Sequence, residues 1–198
     1  MTTTIELIKR LREETGAGVL DCRQALQHNE SNYANALSYL QEKAAALAAR
    51  RVSCQSSQGM IELYAHADGR IGVMVEVNCE TDFTARSPAF RTLAHEIVLQ
   101  IAASSPLWVR DEDIPQAVLN EEQEKVAQKA RAEDKPDMLI PRITSGHLKK
   151  FMDQHVLLRQ VSIRDEKVTV AQMLARLAAS VGENIVIRRF SRWELGEG

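Results

Sequence analysis

Residues 59–79 read GMIELYAHADGRIGVMVEVNC, and this stretch decides the fold. Side chains alternate in polarity on both sides of Asp68-Gly69, with the period of a β-strand. Asp-Gly accepts the positive φ angles of a two-residue hairpin turn. The first strand alternates Ile61, Leu63 and Ala65 with Glu62, Tyr64 and His66, and the second alternates Ile71, Val73, Val75, Val77 and Cys79 with Gly72, Met74, Glu76 and Asn78. The stretch therefore predicts an antiparallel hairpin.

The residues at the start of the chain follow a helical period instead. Ile5, Ile8 and Leu11 recur on one helix face, which predicts a first helix over 3–14. This helix is expected to end at Thr15-Gly16-Ala17-Gly18, because glycine suits both a helix C-terminus and a tight turn.

Two further helices are expected before residue 50. Asp21 is the expected N-cap of a short second helix, and Ser31 is the expected N-cap of a third. The second helix carries Ala25 and Leu26, and the apolar stripe of the third consists of Ala36, Leu37, Leu40, Ala44 and Leu47. Three short helices in succession predict a small bundle.

A change in composition separates this bundle from the hairpin. Between Arg50 and Gln58 the apolar pattern stops and Ser, Gln and Arg predominate, as in a solvated connector. We therefore expect a three-helix module over 1–50, a linker over 51–58 and a core domain over 59–198.

Helices and one further strand are expected after the hairpin. Ser87-Pro88 begins a long helix whose apolar face is Phe90, Leu93, Ala94, Ile97 and Ile101. A charged surface helix is expected over 115–132, and residues 136–155 are expected to form shorter helices interrupted by Pro141 and Gly146.

The end of the chain completes the predicted core. Thr169 is the expected cap of a helix that ends at Gly182, and Ile185-Val186-Ile187 opens a last strand that joins the hairpin. Antiparallel strands separated by a block of helices predict an α+β fold, with helices packed on an antiparallel sheet.

Composition excludes several classes of function. The 198 residues carry a net charge of -2 with both signs interspersed, which argues against direct nucleic-acid binding or attachment to an anionic membrane. We expect no membrane-spanning segment and no secretory leader, because charges recur throughout the amphipathic first segment and no apolar stretch is long enough to span a bilayer. Cys22, Cys54 and Cys79 are odd in number and widely spaced, which favours reduced thiols in a cytoplasmic protein.

Familiar catalytic motifs are missing from the sequence. It contains no GxxxxGK[ST], GxGxxG, HExxH or GxSxG, so we expect no catalytic residue, cofactor or metal. The remaining candidates are Cys79 or Cys22 with His66, His95, His147 or His155. Cys79 lies on the apolar face of a predicted strand, which favours a buried structural thiol.

A polar turn follows the hairpin, and residues 78–86 read NCETDFTAR. It holds one large aromatic residue, Phe83, just before the Ser87 cap. Taken alone, the residues favour a Phe83 that fills the protein's own core next to Phe90, because most phenylalanines are buried.

Three separated motifs carry a family resemblance. Residues 76–83 read EVNCETDF, residues 15–18 read TGAG and are followed by Asp21-Cys22, and residues 182–185 read GENI. The last motif continues through Arg188-Arg189-Phe190 to LGEG at 195–198. In this order they cover essentially the whole chain, which resembles the elongation factor Ts family of bacterial translation.

The resemblance implies a guanine-nucleotide exchange factor without covalent chemistry of its own. In the family, the pair that matches Asp82 and Phe83 wedges against the GTPase domain of elongation factor Tu, beside its phosphate and magnesium site. Thr81 belongs to the same set, and a local hydrogen bond to the turn is as consistent with it as a direct partner contact.

The resemblance also assigns a role to the first module. It implies a ubiquitin-associated three-helix fold that grips the GTPase domain, with Lys9, Arg12, Val19 and Leu20 at the positions used for contact. Without the resemblance, Lys9 and Arg12 indicate only a solvated helix face.

The length of the chain resembles the short form of the family. That form implies a single core subdomain without a second copy and without the helical hairpin between copies, and it implies a homodimer. The connector around Val52-Ser53-Cys54-Gln55-Ser56 is less basic than the family pattern, and Pro141 is expected to kink or split its helix.

Two other hypotheses remain open at this point. One is a protein-binding module without exchange activity that uses the three-helix bundle for another partner. The other is a thiol-dependent enzyme that uses Cys79.

Overall fold

The computed structural model describes residues 4–51, 56–66 and 68–197, and describes side chains in these ranges except those of 44–51. Three helices come first: α1 (Thr4–Thr15), α2 (Val19–His28) and α3 (Tyr33–Arg51). They pack around a small buried cluster, which comprises Leu11, Cys22, Ala25, Leu26, Ala36 and Leu40. The predicted bundle is therefore confirmed, while Ala44 and Leu47 lie outside the described side chains.

Both predicted caps in the bundle are wrong. Helix α2 begins at Val19 after Gly18, so Asp21 lies inside its first turn, where it pairs with Lys43 at 2.8 Å. Ser31 has a left-handed φ of 62°, and the side chain of the next residue, Asn32, accepts the N–H of Asn35 at 3.2 Å. Neighbouring polar residues compete for the same cap, and the turn geometry decides between them.

The core contains a three-stranded antiparallel sheet in the order β1-β2-β3. Its strands are β1 (Gln58–His66), β2 (Ile71–Cys79) and β3 (Val186–Glu194), so the last strand joins the hairpin as predicted. A bulge interrupts the β2-β3 register between Glu76 and Val77.

The hairpin turn is longer than predicted. His66 pairs with Ile71, so the loop spans four residues and the expected two-residue turn is wrong. Asp68 and Gly69 do adopt positive φ angles of 56° and 85°, as their sequence indicates.

Helices α5 (Pro88–Ser104) and α8 (Val170–Val181) cover one face of the sheet. Ser87 caps α5 by accepting the N–H of Phe90 at 3.2 Å, and Thr169 caps α8 by accepting the N–H of Gln172 at 3.3 Å, both as predicted. The buried core between sheet and helices includes Val73, Val75, Val77, Cys79, Phe90, Ile97, Ile101 and Val170. The architecture is α+β, as predicted.

Two further helices correct the expectations for residues 115–155. Helix α6 (Gln116–Ala132) packs on α7 (Ile140–His155), so the two form a helical hairpin within the core. The short form, without a second core copy and without a hairpin between copies, stays a prediction. Helix α7 runs unbroken through Pro141 and Gly146. Pro141 lies in its first turn, where a missing N–H breaks no helical bond, so the expected kink is wrong.

The bundle and the core meet near Gly16. A Cβ atom at this residue would lie 2.8 Å from the carbonyl oxygen of Arg176 in α8, and α3 also packs against α8. Helix α3 runs to Arg51 and β1 begins at Gln58, while 52–55 lie outside the described residues. The division into 1–50, 51–58 and 59–198 stays a prediction. In the part of the chain described here, no helix is both long and apolar enough to cross a membrane.

Candidate functional site

The turn after β2 contains a very short helix, α4 (Asp82–Arg86). Thr81 caps this helix, and its hydroxyl oxygen accepts the N–H of Thr84 at 3.3 Å. Asp82 and Phe83 thus occupy the first two positions of α4. We call Thr81, Asp82 and Phe83 the tip.

Phe83 points away from the protein. Its side chain is 82% exposed, whereas Phe90 is fully buried in the core. The alternative in which Phe83 fills the core is therefore wrong. An exposed ring adds almost no buried apolar area to the fold, so Phe83 contributes little to the stability of the chain and is free to contact a partner.

Asp82 is also on the surface. Its carboxylate pairs with Arg86 at 3.2 Å, one helical turn along α4. Both side chains are well exposed, so the pair contributes little to stability. The negative charge of Asp82, in the first turn of α4, interacts favourably with the positive end of the helix dipole.

A residue far along the chain holds the tip. Glu183, in the turn after α8, accepts the backbone N–H groups of Glu80 and Thr81 at 3.2 and 3.0 Å through one carboxylate oxygen. Its other oxygen accepts the hydroxyls of Thr81 and Thr84 at 2.6 and 2.8 Å. Sequence reasoning quoted Glu183 only as part of the GENI motif and assigned it no role.

The charge on Glu183 is matched to these donors. Partial burial raises the pKa of its carboxyl, but the hydrogen bonds from Thr81, Thr84 and Glu80 outweigh burial and leave the pKa lowered. Glu183 is therefore ionised at neutral pH and accepts from all four donors.

Cys79 lies just beneath the tip and is fully buried. Its thiol donates to the carbonyl oxygen of Thr81 at 3.1 Å. Burial and the nearby negative charge of Glu183 raise the pKa of this thiol, so it stays protonated at neutral pH. Two of the candidate histidines have other partners, since His66 contacts Tyr64 and His95 contacts Glu62. These surroundings disfavour Cys79 as a nucleophile.

The other predicted contact residues lie on the bundle, on a different part of the protein from the tip. Lys9 and Arg12 are exposed, and Arg12 lies in the last turn of α1. Val19 and Leu20 open α2 and are 49% and 71% exposed. The turn at 16–18 therefore separates the positively charged Arg12, at the end of α1, from the exposed apolar pair Val19 and Leu20, at the start of α2.

A third surface was not predicted. On the side of the sheet away from the helices, four large apolar side chains are exposed: Ile61, Leu63, Met74 and Trp193. We call these four residues the outer sheet face. Sequence alternation showed that Ile61 and Leu63 share a side, but the helices cover the opposite one, which carries Met60 and Tyr64.

Within the ranges that the structure describes, no group of three His, Cys, Asp or Glu side chains is arranged to hold a metal ion. The outer sheet face has the character of a protein-contact surface, because it exposes four large apolar side chains on regular secondary structure. The tip exposes one, the ring of Phe83.

Comparison with known proteins identifies the family. The family described as Elongation factor TS matches residues 13–197. The chain belongs to the elongation factor Ts family. Its members act in protein biosynthesis as translation elongation factors. The matched range includes the tip, Glu183, Val19 and Leu20, whereas Lys9 and Arg12 precede it.

Individual relatives match over nearly their full lengths. Elongation factor Ts of Caldanaerobacter subterraneus subsp. tengcongensis is 47% identical over 193 residues, which cover 98% of this chain and 96% of the relative. Elongation factor Ts of Coprothermobacter proteolyticus is 44% identical over 197 residues and all of both chains. That of Heliobacterium modesticaldum is 42% identical over 195 residues, 98% of this chain and 91% of the relative.

Proposed function

We propose that this elongation factor Ts family member promotes release of GDP from elongation factor Tu, and that Phe83 is the residue that displaces the nucleotide contacts. The observation that carries the proposal is the 82% exposure of Phe83 at the start of a helix held by Glu183. A phenyl ring on a fixed turn buries much area in a partner for little loss of side-chain entropy.

The proposed mechanism follows from how a GTPase holds its nucleotide. Backbone amides of a phosphate loop and a magnesium ion fixed by a few side chains provide most of the binding. These contacts are short and directional, so a small shift of one element weakens several together. Insertion of Phe83 between elements of the GTPase domain would supply such a shift, with Asp82 adding polar contacts beside it.

Exchange of this kind requires no covalent step and no cofactor, so we propose that the protein is not an enzyme in the chemical sense. It must bind the nucleotide-free partner more tightly than the nucleotide-bound partner. By reciprocity, GDP or GTP then weakens the complex by the same factor.

The bundle would supply a second point of attachment. Val19 and Leu20 form an exposed apolar pair, and Lys9 and Arg12 add positive charge nearby on α1. We propose that these four residues hold the GTPase domain while the tip acts on the nucleotide site. Loss of the tip should therefore impair exchange more than complex formation.

We also propose that two copies pair through the outer sheet face. Exposed apolar patches mark protein contacts, and the four residues of the outer sheet face are large, apolar and exposed. Glu76 lies at its border and pairs with Arg189 at 2.8 Å, so the border carries both signs. A copy related by a two-fold axis presents the same patch, so the apolar side chains of one copy would pack against those of the other.

The test is the release of labelled GDP from elongation factor Tu, with and without this protein. Acceleration by catalytic amounts, lost in Phe83→Ala, supports the proposal. If the wild-type protein binds the nucleotide-free GTPase but does not accelerate release, it is a binding module without exchange activity. Cys79→Ser should retain activity, since the proposed mechanism does not use the thiol.

A further inference from the structure

The tip is a short element that cannot hold its own position. Helix α4 has five residues, too few for a helix to be stable by itself in water. Its placement therefore depends on contacts with the rest of the core. Thr84 is buried on its inner side, and the Cys79 thiol bonds the Thr81 carbonyl from below.

Ala85 packs against the hydrophobic core, and α4 also contacts β1, β2 and α5. The densest set of hydrogen bonds to this segment comes from one carboxylate. Glu183 accepts two backbone N–H groups and two hydroxyls from the segment that runs from Glu80 to Thr84. Three of these four donors belong to the N-cap of α4 and to the residue before it. Glu183 thus fixes the start of the helix on which Phe83 is the second residue.

A return bond makes the connection reciprocal. The N–H of Asn184 donates to the carboxylate of Glu80 at 2.7 Å, so each turn caps a backbone group of the other. Gly182 ends α8 in a left-handed conformation with φ of 74°, which turns the chain toward the tip. The two turns therefore form one unit although they lie about half the chain apart.

We propose that Glu183 is a positioning residue for exchange: its carboxylate holds the cap of α4 so that Phe83 is presented in a single orientation. This inference rests on the proposed role of Phe83. Without Glu183 the ring would still be present, but the tip would have to become ordered on binding. The free energy spent on ordering the tip would no longer be available to displace the nucleotide.

Two substitutions at this residue separate positioning from simple loss of a side chain. Glu183→Ala removes all four acceptors, and we expect the maximal rate of GDP release to fall by about 10- to 100-fold. Glu183→Gln keeps one oxygen for the two backbone N–H groups and turns an amide toward hydroxyls that can rotate to accept. It should recover most of the lost rate. Affinity for the nucleotide-free GTPase should fall less than the rate of GDP release in either variant, because the bundle still holds the partner.

Thr169→Ala is the matched control. It removes the capping box at the opposite end of α8, where Thr169 and Gln172 bond one another at 2.9 and 3.3 Å. The loss of a helix cap lowers the melting temperature by a few degrees, and a similar decrease is expected for Glu183→Ala. Exchange by Thr169→Ala should remain at the wild-type rate.

Amide hydrogen exchange tests positioning without the partner. The N–H groups of Thr84 and Ala85 bond Thr81, so their protection reports whether the cap is formed. We expect this protection to fall in Glu183→Ala and to persist in Thr169→Ala. Unchanged protection in Glu183→Ala would overturn the inference, whatever the exchange assay shows.

The GDP-release assay is the second test of the inference. Wild-type rates in Glu183→Ala, or an equal loss in Thr169→Ala, would also overturn the inference while leaving the proposed function intact. If the wild-type protein does not accelerate GDP release from elongation factor Tu, the proposed function itself is wrong, and the inference about Glu183 is wrong with it.

Discussion

Replacement of Phe83 by alanine separates stability from activity. A buried phenylalanine costs about 3–5 kcal/mol when truncated to alanine, whereas changes at exposed positions stay within about 0.5 kcal/mol. Phe83 is 82% exposed, so its loss removes little buried area. For a chain of this size we expect the melting temperature to move by no more than about 2 °C.

Phe90→Ala is the matched control for this prediction. Phe90 is fully buried in the same domain, so its truncation should lower the melting temperature by about 6 °C or more. The same substitution should therefore change the melting temperature strongly at Phe90 and hardly at all at Phe83, because one ring lies in the core and the other in solvent.

The effect of Phe83→Ala on activity should be large. A central aromatic contact is worth about 2 kcal/mol or more, which corresponds to roughly a 30-fold loss in the rate of GDP release. Binding to the nucleotide-free GTPase should weaken less, because the bundle still holds it. GDP release, pull-down of nucleotide-free elongation factor Tu and thermal melting on one preparation check all three expectations. A large loss of stability, or full exchange by the folded variant, would refute the assignment of Phe83.

Three further predictions address the network, the oligomer and the domain boundary. The hydrogen bonds that lower the pKa of Glu183 stabilise the fold above its ordinary pKa of 4.5, and this contribution is lost as pH falls through the lowered pKa. Wild type should therefore melt at a higher temperature than Glu183→Gln at pH 7, and this difference should shrink steadily as the pH is lowered below 4.5. A difference that does not change with pH would contradict this. Leu63→Glu should weaken dimerisation by about 100-fold or more, because it places a charge in the proposed apolar contact. Leu107→Glu, at a comparably exposed leucine outside the sheet, should leave dimerisation unchanged. Analytical ultracentrifugation of both variants measures this, and a monomeric wild type would reject the proposed dimer. Limited proteolysis under native conditions should cut first within 50–58. Earlier cleavage elsewhere would show that the predicted domain boundary is wrong.

The elements that sequence predicted well are those set by local periodicity. The alternation in residues 59–79 identified the hairpin, and the caps at Ser87 and Thr169 marked the starts of α5 and α8. These signals act within a few residues, where backbone geometry and side-chain spacing determine each other. They do not depend on how the elements pack.

Local ambiguity explains the errors in the helices. Ser31 and Asn32 both qualify as caps, and only the path of the turn selected Asn32. Pro141 was assigned to a helix interior, but α7 begins at Ile140, so the proline falls where it is tolerated. A shift of one or two residues in an element boundary thus reverses the expected effect of a proline or a cap.

The tip illustrates both sides of this division. The motif in residues 76–83 was enough to single out Thr81, Asp82 and Phe83, yet the composition of the turn favoured a buried Phe83. In the folded chain the ring of Phe83 lies in solvent, and Phe90, in the first turn of α5, is buried in the core. Which of two nearby phenylalanines is buried is decided by packing, which no local pattern expresses.

The sequence by itself determined the hairpin, the helical module before it, the α+β class and, through its motifs, the family. Only the tertiary structure decided which side of β1 is covered and which residue holds the tip. Leu63 and Tyr64 alternate equally well in either orientation until helices settle on one side of the sheet. Glu183 meets Thr81 across 102 residues of chain, and such a contact exists only because α8 and β2 pack in the same core. Periodicity describes neighbours along the chain, whereas the acceptor for the Thr81 N–H comes from a neighbour in space.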